Sequence, residues 1–414
     1  MKQLTATAGN NDAKKRSDCF VSLEIKDKGG IEILLKSKVE VMFAESIKEE
    51  AKTILNFFNI ENAILSIEDK GALPFVLAAR IEAAVKKIIE TDKKYLPDFI
   101  EENKYQSEKD TFRFSRLYIP GNTPNMMLNA GLHKPNGIIL DLEDSVAYTK
   151  KDEARLLVRN ALRSVNFYGA ERMVRINQFP LGLKDLQYIV PQNIHIILLP
   201  KCEDAQQVLD VEKEIERIKS THNISAPIYL MPIIESCLGV EKAFEIATAS
   251  KNIIGLAIGL EDYTADLGAQ RTKEGHESFY ARTRIVNACK ATGIQAIDSV
   301  FSDVDDPEGL KRTVEESKSL GFDGIGCIHP RQMKTVHEAF APTEAEIKKA
   351  QKIILAFDDA TTKGLGVISL GSKMIDPPVV QRAEKTIKLA LFWGLIPENW
   401  KEKTGIRIQE TGKK

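Results

Sequence analysis

Two acidic side chains follow neighbouring apolar runs in the second half of the chain, at positions that suit metal binding. Glu235 comes directly after the run Ile228–Ile234, and Asp262 follows the run Ile253–Ile258. If these runs are adjacent parallel strands, both carboxylates can reach one cation at the end of the sheet where substrates bind. Two carboxylates with positions left open for water and substrate describe a magnesium site better than a zinc site. The structural alternative is that Glu235 caps the next helix and Asp262 pairs with a lysine or arginine.

Polar residues also end most of the other apolar runs that follow the N-terminal part of the chain. They include Asp141, Glu143, Asp144, Arg175, Asn177, Lys201, Asp298, Ser299 and His329. Any one of them could be a loop or helix-cap residue, but several acids and bases at one end of a sheet predict an active site. The six histidines lack HExxH or related spacing, so a histidine-metal site is not expected. Neither a Gly-x-Ser-x-Gly motif nor a P-loop occurs in the sequence.

The elements that must position these residues are eight short apolar runs separated by amphipathic helical stretches. The runs are Leu117–Ile119, Gly137–Leu140, Met173–Ile176, His195–Leu199, Ile228–Ile234, Ile253–Ile258, Ile294–Val300 and Gly324–Ile328. Helical spacing between them is seen at Ala205–Ile218, Gly239–Ala249, Phe279–Thr292 and Pro307–Leu320. Eight β-then-α units over a span of this size predict a (β/α)₈ TIM barrel, an α/β fold. A doubly wound open sheet is the competing architecture. No GxGxxG motif follows the first run, which makes the open sheet the less favoured of the two architectures.

The N-terminal part predicts a separate small α+β unit ahead of the barrel. Its predicted elements are strands within Phe20–Leu35 around a Lys28–Gly30 turn, a helix over Val39–Phe58, a strand at Ala63–Ile67 and a helix from Pro74 to about Ile89. The segment Pro97–Thr111 is charged and aperiodic, which is typical of a linker. We therefore expect a carrier-sized domain at 1–96, a linker at 97–111, the barrel at 112–345 and a helical extension at 346–414.

Composition excludes several classes of function. The chain has 414 residues, which favours two domains, and its formal net charge of −1 gives no field that would recruit nucleic acid or an anionic membrane. Five scattered cysteines without CxxC spacing argue against a disulfide framework or a zinc site and fit a reducing compartment. The first residues lack the apolar segment of a secretory signal, and the apolar runs are strand-sized. A cytoplasmic protein is expected.

A series of motifs in the second part of the chain resembles the citrate lyase β-subunit family, which includes citryl-, citramalyl- and malyl-CoA lyases. The motifs are Arg116–Asn122 (RLYIPGN), Ile139–Val146 (ILDLEDSV), Val174–Asn177 (VRIN), Leu199–Lys201 (LPK), Ile234–Ser236 (IES), Gly259–Tyr263 (GLEDY), Ile297–Asp298 and Ser372–Asp376 (SKMID). They occur in the family's order and at its spacing, over about residues 115 to 390.

The N-terminal part is similar to the acyl-carrier γ-subunit of citrate lyase, so the chain resembles a γ–β fusion. The similarity rests on Phe43–Ile47 (FAESI), Ile67–Leu73 (IEDKGAL) and Ala79–Ala83 (ARIEA). In that family a serine shortly before the first strand bears a phosphoribosyl-dephospho-coenzyme A arm, and Ser17 is the nearest candidate here. The match departs at this point, because the segment is longer and Arg16 replaces the usual acidic residue. Without the arm, free coenzyme A thioesters would be the substrates.

The resemblance implies a carbon–carbon lyase that splits a citryl or citramalyl thioester into a keto acid (oxaloacetate or pyruvate) and an acetyl thioester. It implies that Glu235 and Asp262 hold Mg²⁺, that Arg175 clamps the keto-acid carboxylate and that Arg116 meets substrate or thioester oxygens. Asp376 resembles the acid/base aspartate that reaches the site from a neighbouring subunit, which implies a homo-oligomer, commonly a trimer. It also precedes Pro377-Pro378, a helix-start signal, so it can act as a helix cap. Asp141, Glu143 and Asp144 would orient metal-bound waters or the arginines.

Several alternatives remain open on the sequence alone. A malyl-CoA-type lyase or a thioesterase could use the same metal site. Outside the enzymes, the alternative hypothesis is a non-catalytic carrier or scaffold subunit. Retention of the metal carboxylates, Arg175 and Asp376 argues against this hypothesis. The sequence does not separate citryl from citramalyl thioesters, nor does it say whether an acyl-transferase α-subunit is required.

Overall fold

The computed structural model describes residues 4–12, 14–362, 368–370 and 373–403, which form two compact units, Met1–Val336 and His337–Lys414. The strands are β1 (Thr5–Gly9), β2 (Cys19–Ile25), β3 (Ile31–Ser37), β4 (Ala63–Asp69), β5 (Ser115–Pro120), β6 (Gly137–Asp141), β7 (Glu171–Arg175), β8 (Ile196–Leu199), β9 (Tyr229–Ile234), β10 (Gly255–Ile258), β11 (Gln295–Asp298), β12 (Gly324–Cys327), β13 (Ile368–Leu370) and β14 (Lys373–Ile375). The helices are α1 (Glu40–Phe57), α2 (Pro74–Ile88), α3 (Pro124–Met127), α4 (Lys151–Ser164), α5 (Gly182–Ile189), α6 (Ala205–His222), α7 (Cys237–Glu241), α8 (Ala243–Thr248), α9 (Leu260–Leu267), α10 (Phe279–Thr292), α11 (Pro307–Leu320), α12 (Gln332–Phe340), α13 (Glu344–Thr362), α14 (Pro377–Phe392) and α15 (Trp400–Lys403).

The N-terminal strands form one mixed sheet in the order β1-β2-β4-β3. β2 runs antiparallel to β1 and β4, whereas β3 runs parallel to β4. The strands predicted within Phe20–Leu35 are present, but β4 lies between them, so the Lys28–Gly30 turn does not close a hairpin. β1 was not predicted, because its inward residues Ala6 and Ala8 alternate with threonines but are too small to give a strong apolar signal. With α1 and α2 beside the sheet, the small α+β unit is confirmed.

Eight parallel strands, β5 to β12, close into a barrel within the continuously described residues 14–362. Each strand pairs with the next in the chain, and pairing of Ile325 in β12 with Ser115 in β5 closes the ring. The helices between the strands match the predicted (β/α)₈ order, with Phe279–Thr292 and Pro307–Leu320 found at their predicted bounds. The TIM-barrel prediction is therefore confirmed.

Strand alternation explains why chemistry collects at one end of the barrel. Ile139 and Ile233 belong to the buried cluster inside the barrel. Because side chains of a strand alternate between its faces, the residue two positions later points the same way. Asp141 and Glu235 therefore turn inward at the carboxyl ends of β6 and β9, as Arg175 does in β7. A TIM barrel carries its active site at this end.

The segment 97–111, which the structure describes throughout, contains one turn of 3₁₀ helix, Glu101–Asn103, and no other helix or strand. It nevertheless reaches a buried histidine, His195, just before β8. The backbone N–H of Arg172 donates to its Nδ1 (3.1 Å), and Nε2 lies 3.0 Å from the carbonyl oxygen of Tyr105. The neutral imidazole with its proton on Nε2 satisfies both partners. Burial, and then the charge of Arg172, lower the pKa of His195 to about 3.

We expect His195 to make the fold sensitive to mild acid. Below about pH 6.5 the unfolded histidine binds a proton that the folded one rejects, so stability is present above that pH and is lost as the pH falls toward 3. Between pH 6.5 and 5 the loss should be about 2 kcal/mol. Urea unfolding of His195→Gln over this range should show a correspondingly flatter pH profile, whereas the exposed-residue control His222→Gln should follow the parent chain. A profile of His195→Gln parallel to the parent would contradict this.

The second unit is built around the helices α13 and α14, whose apolar faces share a core that includes Ile354, Ile387 and Trp400. β13 and β14 form an antiparallel pair before α14. Asp376 is the N-cap of α14, where its side chain accepts a hydrogen bond from the backbone N–H of Val379 (3.2 Å). Ser372, from the motif before it, lies outside the described residues. Among the described helices, none combines the length and apolar character that crossing a membrane requires.

Candidate active site

A cavity of about 310 Å³ opens at the carboxyl end of the barrel. It is lined by residues from β5, β6, β7 and β9 to β12 and from the loops that follow several of them. Its polar lining residues include Arg116, Tyr118, Asp141, Ser145, Arg175, Glu235, Glu261, Asp262, Asp298 and Ser299. Six of the strand-end residues singled out in the sequence line this one cavity, together with apolar side chains such as Ile233 and Ile258: Asp141, Arg175, Glu235, Asp262, Asp298 and Ser299. Five others are not among its lining residues: Glu143, Asp144, Asn177, Lys201 and His329.

Glu235 and Asp262 approach each other around Lys201. The backbone N–H of Lys201 donates to Oε1 of Glu235 (2.8 Å), and its ammonium lies 3.3 Å from Oδ1 of Asp262. Ser236, not Glu235, caps α7 through its side-chain oxygen. The structural alternative is therefore wrong for Glu235, whereas Asp262 does contact a lysine. Lys201 has a left-handed backbone (φ 47°), which is uncommon outside glycine and orients this residue between the two strand ends.

The carboxylates here crowd each other. Glu235 is 5% exposed, and burial raises its pKa to about 8, with further upward contributions from the charges of Glu143 and Asp262. Burial also raises the pKa of Glu143, against the lowering effect of Arg175. The N–H of Lys201 and the charge of Arg175 lower the pKa of Glu235, but by less than burial and the neighbouring carboxylates raise it. A divalent cation at this point would supply further positive charge.

Gly259 makes the close approach of Glu235 possible. A Cβ atom at residue 259 would lie 2.7 Å from Oε2 of Glu235, well inside normal van der Waals contact. The residue follows β10 directly and has an ordinary backbone conformation (φ −109°), so alanine would cause no backbone strain here but would require the Glu235 side chain to shift.

We expect Gly259→Ala to push the Glu235 carboxylate out of place. The predicted result is at least a ten-fold weaker response of the protein to Mg²⁺, because a shift of about 1 Å in a positioning group can cost a hundred-fold in rate. Thermal unfolding with and without Mg²⁺, and turnover titrated with Mg²⁺, would measure this. Unchanged Mg²⁺ dependence would show that Glu235 does not need the space at Gly259.

Arg175 is held rigidly by two acidic residues. Its Nε and Nη2 donate to the two oxygens of Asp141 at 2.7 and 2.8 Å, a bidentate arrangement. Its Nη1 lies 2.8 Å from Oε2 of Glu143, and the guanidinium stands 5.4 Å from the centre of the Tyr118 ring. Burial alone would raise the pKa of Asp141, but the hydrogen bond and charge of Arg175 lower it. Arg175 therefore stays charged with two N–H bonds free to point into the cavity.

Arg116 is a buried cation inside the barrel. It is 1% exposed, and its Nη1 contacts the sulfur of Met231 (3.0 Å). Within the described residues no carboxylate comes within 4 Å of its guanidinium, and its Nε has no hydrogen-bond partner. Burial lowers its pKa. An unpaired guanidinium at the cavity floor is poised to bind an anionic or carbonyl oxygen.

The donor set fits magnesium better than zinc. Within the part of the chain that the structure describes, no group of three or more His, Cys, Asp or Glu side chains is arranged to hold a metal. Mg²⁺ commonly takes one or two carboxylates and completes its shell with water and substrate. Glu235 and Asp262 provide two carboxylates at an open cavity, and the buried Glu143, whose Oε2 is ion-paired with Nη1 of Arg175 (2.8 Å), adds negative charge near Glu235. The residues present are compatible with such an ion.

Some predicted site residues lie at the rim of the cavity, have a structural partner in its wall, or belong to another part of the chain. Asp144 is largely exposed at the rim, 4.0 Å from Nη1 of Arg175. Asp298, at the end of β11, is tied to Arg282 (2.7 Å) and Ser317 (2.6 Å), so it supports the barrel wall. Ser17 belongs to the N-terminal unit. Asp376 belongs to the second compact unit and is described only within it.

Lys201 was predicted only as one of the polar residues that end the strands, and Tyr118 and Gly259 were noted only within motifs, so none of the three had a specific predicted role. Lys201 binds Glu235 through its backbone, Tyr118 stands beside Arg175, and Gly259 leaves room for Glu235. The period-two alternation of β5 could have found Tyr118, since it lies two positions after Arg116. The contacts of Lys201 and Gly259 join different strands, which no local pattern reports.

The chain is similar to known proteins in both its N-terminal part and its barrel. Residues 115–330 match the family described as HpcH/HpaI aldolase/citrate lyase, and residues 5–88 match the ACP family described as malonate decarboxylase delta subunit (MdcD). Citrate lyase subunit beta of Leuconostoc mesenteroides subsp. cremoris is 42% identical over 291 residues, covering 68% of this chain and 94% of the relative. Mitochondrial citramalyl-CoA lyase of Homo sapiens is 32% identical over 287 residues, covering 66% and 84%.

A solved structure is similar as well. The crystal structure of CitE from Mycobacterium tuberculosis, in complex with magnesium, acetoacetate and coenzyme A, superposes with a TM-score of 0.58. It is 28% identical in sequence and covers 68% of this chain and 99% of that one. The resemblances predicted from the motifs are thus confirmed for the barrel and for the N-terminal unit.

Proposed function

Since the chain belongs to the HpcH/HpaI aldolase/citrate lyase family and is a carbon–carbon lyase, we propose that it is a Mg²⁺-dependent lyase of citryl or citramalyl thioesters. The products would be a keto acid, oxaloacetate or pyruvate, and an acetyl thioester. The observation that carries the proposal is the buried carboxylate of Glu235, crowded by Asp262, in a cavity that also holds the guanidinium of Arg175. The magnesium in the similar CitE structure supports the choice of ion.

Cleavage requires that a carbinol hydroxyl lose its proton while the bond from the carbinol carbon to the thioester α-carbon breaks. When bound, Mg²⁺ supplies a Lewis acid that lowers the pKa of such a hydroxyl. Glu235 and Asp262 are the residues that would hold it. Arg175 would bind the substrate carboxylate beside the carbinol through its two free N–H bonds, and the carboxylates behind it keep the guanidinium in one orientation.

The electron pair of the broken bond moves onto the thioester as an enolate, which must be stabilised and then protonated on carbon. Arg116, a buried cation without a carboxylate partner among the described residues, is suited to the enolate oxygen. In its protonated form, Asp376 would give its proton to the acetyl α-carbon. This transfer balances the proton that the carbinol hydroxyl releases to water, from which the Asp376 carboxylate would then be reprotonated. We propose that Asp376 acts from a neighbouring subunit of a homo-oligomer, commonly a trimer in the family, while it also caps α14.

The thioester would be carried either by a phosphoribosyl-dephospho-coenzyme A arm on Ser17 or by free coenzyme A. The match of residues 5–88 to an acyl carrier family supports the first option, and the coenzyme A in the similar CitE structure supports the second. An acyl-transferase α-subunit is a proposed partner for the arm-borne form. Five free thiols fit a reducing compartment, for which we propose the cytoplasm.

A thioester panel tests the proposal. Purified chain would be incubated with citryl-, citramalyl- or malyl-coenzyme A, in Mg²⁺ or in EDTA, and the keto acid would be measured. We expect Mg²⁺-dependent release of oxaloacetate or pyruvate. Release of glyoxylate from malyl-coenzyme A would favour a malyl-type lyase, and release of coenzyme A without a keto acid would favour a thioesterase. No product from any thioester would favour a non-catalytic subunit.

A further inference from the structure

The helices α2 and α4 are buried on all their faces, although one belongs to the N-terminal unit and the other to the barrel. Residues 75–85 of α2 and 153–162 of α4 are each buried without interruption. An outer helix of a barrel normally shows a polar face to water. Here α2 covers that face of α4. Both helices lie within the compact unit Met1–Val336, which contains the N-terminal sheet as well as the barrel strands.

The polar residues of α4 have their partners in the N-terminal unit. Arg159 donates to both oxygens of Glu82 in α2 (2.9 and 2.7 Å), and both side chains are fully buried. Asn160 donates to the carbonyl oxygen of Phe75 (3.1 Å). Separating the two units would break each of these contacts.

Glu153 of α4 makes a second group of contacts with the N-terminal unit, close to β1. Its Oε2 accepts the backbone N–H of Gly9 (2.9 Å), and its Oε1 accepts the ammonium groups of Lys87 (2.8 Å) and Lys150 (3.0 Å). Lys150 in turn donates to the carbonyl oxygen of Gly9 (3.2 Å). Burial alone would raise the pKa of Glu153, but these hydrogen bonds lower it. The end of β1 is therefore fixed to the barrel on both of its backbone groups.

A third group of contacts between the N-terminal unit and the barrel lies beside Ser17, at the cavity end of the barrel. Asp18 accepts a bidentate pair of hydrogen bonds from Arg80 (3.0 Å each), and both residues are 2% exposed. Nη2 of Arg80 also donates to the carbonyl oxygen of Asn122 (3.4 Å). Asn122 stands two residues after Pro120, which lines the cavity at the end of β5. Ser17 itself is half-buried and bonded through its N–H to Lys70.

We propose that the N-terminal unit is a fixed platform, not a mobile carrier, and that it presents the Ser17 turn to the cavity mouth of its own chain. This rests on the proposed function for the identity of the cargo, but the docking itself does not. A thioester attached at Ser17 would enter the barrel by bending of its arm alone. The N-terminal unit would not have to rotate. The loop after β5, from Pro120 to Asn122, separates the attachment point from the cavity.

The docking is tested by distance measurement in the full chain, without metal or substrate. Nitroxide labels would be placed on exposed helix positions of the two parts, Lys52→Cys in α1 and Lys311→Cys in α11, in a Cys237→Ala background. Electron–electron double resonance should give one narrow distance distribution. Its width should equal that of the control pair Lys213→Cys and Lys311→Cys, which lies wholly on the barrel. A broad or multiple distribution would overturn the fixed platform.

The presentation of Ser17 is tested with a tethered probe. A maleimide bearing a chain of pantetheine length that ends in a carboxylate would be attached to Ser17→Cys in the same Cys237→Ala background. Its effective concentration at a reachable cavity is in the millimolar range, so we expect at least a ten-fold loss of turnover of the free thioester. The loss should be proportional to the labelled fraction. The same probe on Lys52→Cys should have no effect.

Failure of this proposal and failure of the proposed function give different results. Full turnover with the probe on residue 17 would overturn the presentation of Ser17 while leaving the lyase intact. Absence of turnover in the unlabelled parent chain would overturn the lyase proposal, and the distance distributions would then still decide the docking.

Discussion

Replacing Glu235 with glutamine is expected to lower kcat by at least about 10³-fold while leaving the fold intact. A Lewis-acid ion supplies several kcal/mol of transition-state stabilisation, and about 4 kcal/mol corresponds to this factor. The amide retains an oxygen for the N–H of Lys201 but cannot offer a full negative charge to a cation. The variant should therefore fold as the parent does and fail to respond to Mg²⁺.

Stability should move in the opposite direction to activity. Because the pKa of Glu235 is raised to about 8 in the folded chain, the unfolded carboxylate loses its proton first, and stability falls as the pH rises from about 4.5 to 8. Glu235→Gln removes this penalty. We expect a higher Tm than that of the metal-free parent at pH 7.5, and no further rise when Mg²⁺ is added.

The control for this prediction is Glu241→Gln, a substitution of the same type on an exposed helix residue six positions along the chain. It should keep parental kcat and the parental rise in Tm with Mg²⁺. Turnover with saturating thioester and differential scanning calorimetry in Mg²⁺ and in EDTA provide the measurements. Parental activity in Glu235→Gln would show that the ion, if bound, is held by other residues.

Replacing Arg175 with lysine is expected to lower kcat/KM by about 10²–10³-fold, although the charge is kept. Removing one preorganised donor from a transition state typically costs about 2.7–4 kcal/mol. Arg175 uses three N–H bonds for Asp141 and Glu143 and has two left for substrate. A lysine ammonium carries three N–H bonds on a flexible stem, so it cannot satisfy both carboxylates and still bind a third one bidentately.

The kinetic constants distinguish the proposed role of Arg175 from a merely structural one. If the guanidinium clamps the substrate, saturation kinetics should show KM rising together with a fall in kcat, whereas a lower Tm without a rise in KM would indicate a merely structural role. Arg217→Lys, on an exposed residue of α6 paired with Glu214, is the matched control and should behave as the parent. An Arg175→Lys variant within two-fold of the parent would remove Arg175 from the substrate site.

Much of the fold was predictable because the strands and helices of a barrel have apolar residues at short, regular spacings along the sequence. The apolar runs of β5 to β12 and the helical spacing of α10 and α11 depend only on neighbouring residues and on burial. The N-terminal sheet was less predictable. β1 is short and its residues are small, and the order β1-β2-β4-β3 places β4 between strands that follow each other in the chain.

The candidate site was predictable at the level of residue type. Alternation along the strands places Asp141, Arg175 and Glu235 at inward positions, and the barrel brings their ends together. The partners of these residues were not predictable. Lys201 and Gly259 contact Glu235 from other strand ends, and Glu143 reaches Arg175 from the loop after β6.

By itself, the sequence determined which side chains face the barrel's mouth, because that depends on a repeat of two residues along each strand. Only the tertiary structure decided how the charges of these side chains compensate one another and where the N-terminal unit packs against the barrel. The raised pKa of Glu235 and the buried Glu82–Arg159 pair both arise between residues far apart in the chain. Such contacts depend on the packing of whole elements, and no local periodicity encodes that packing.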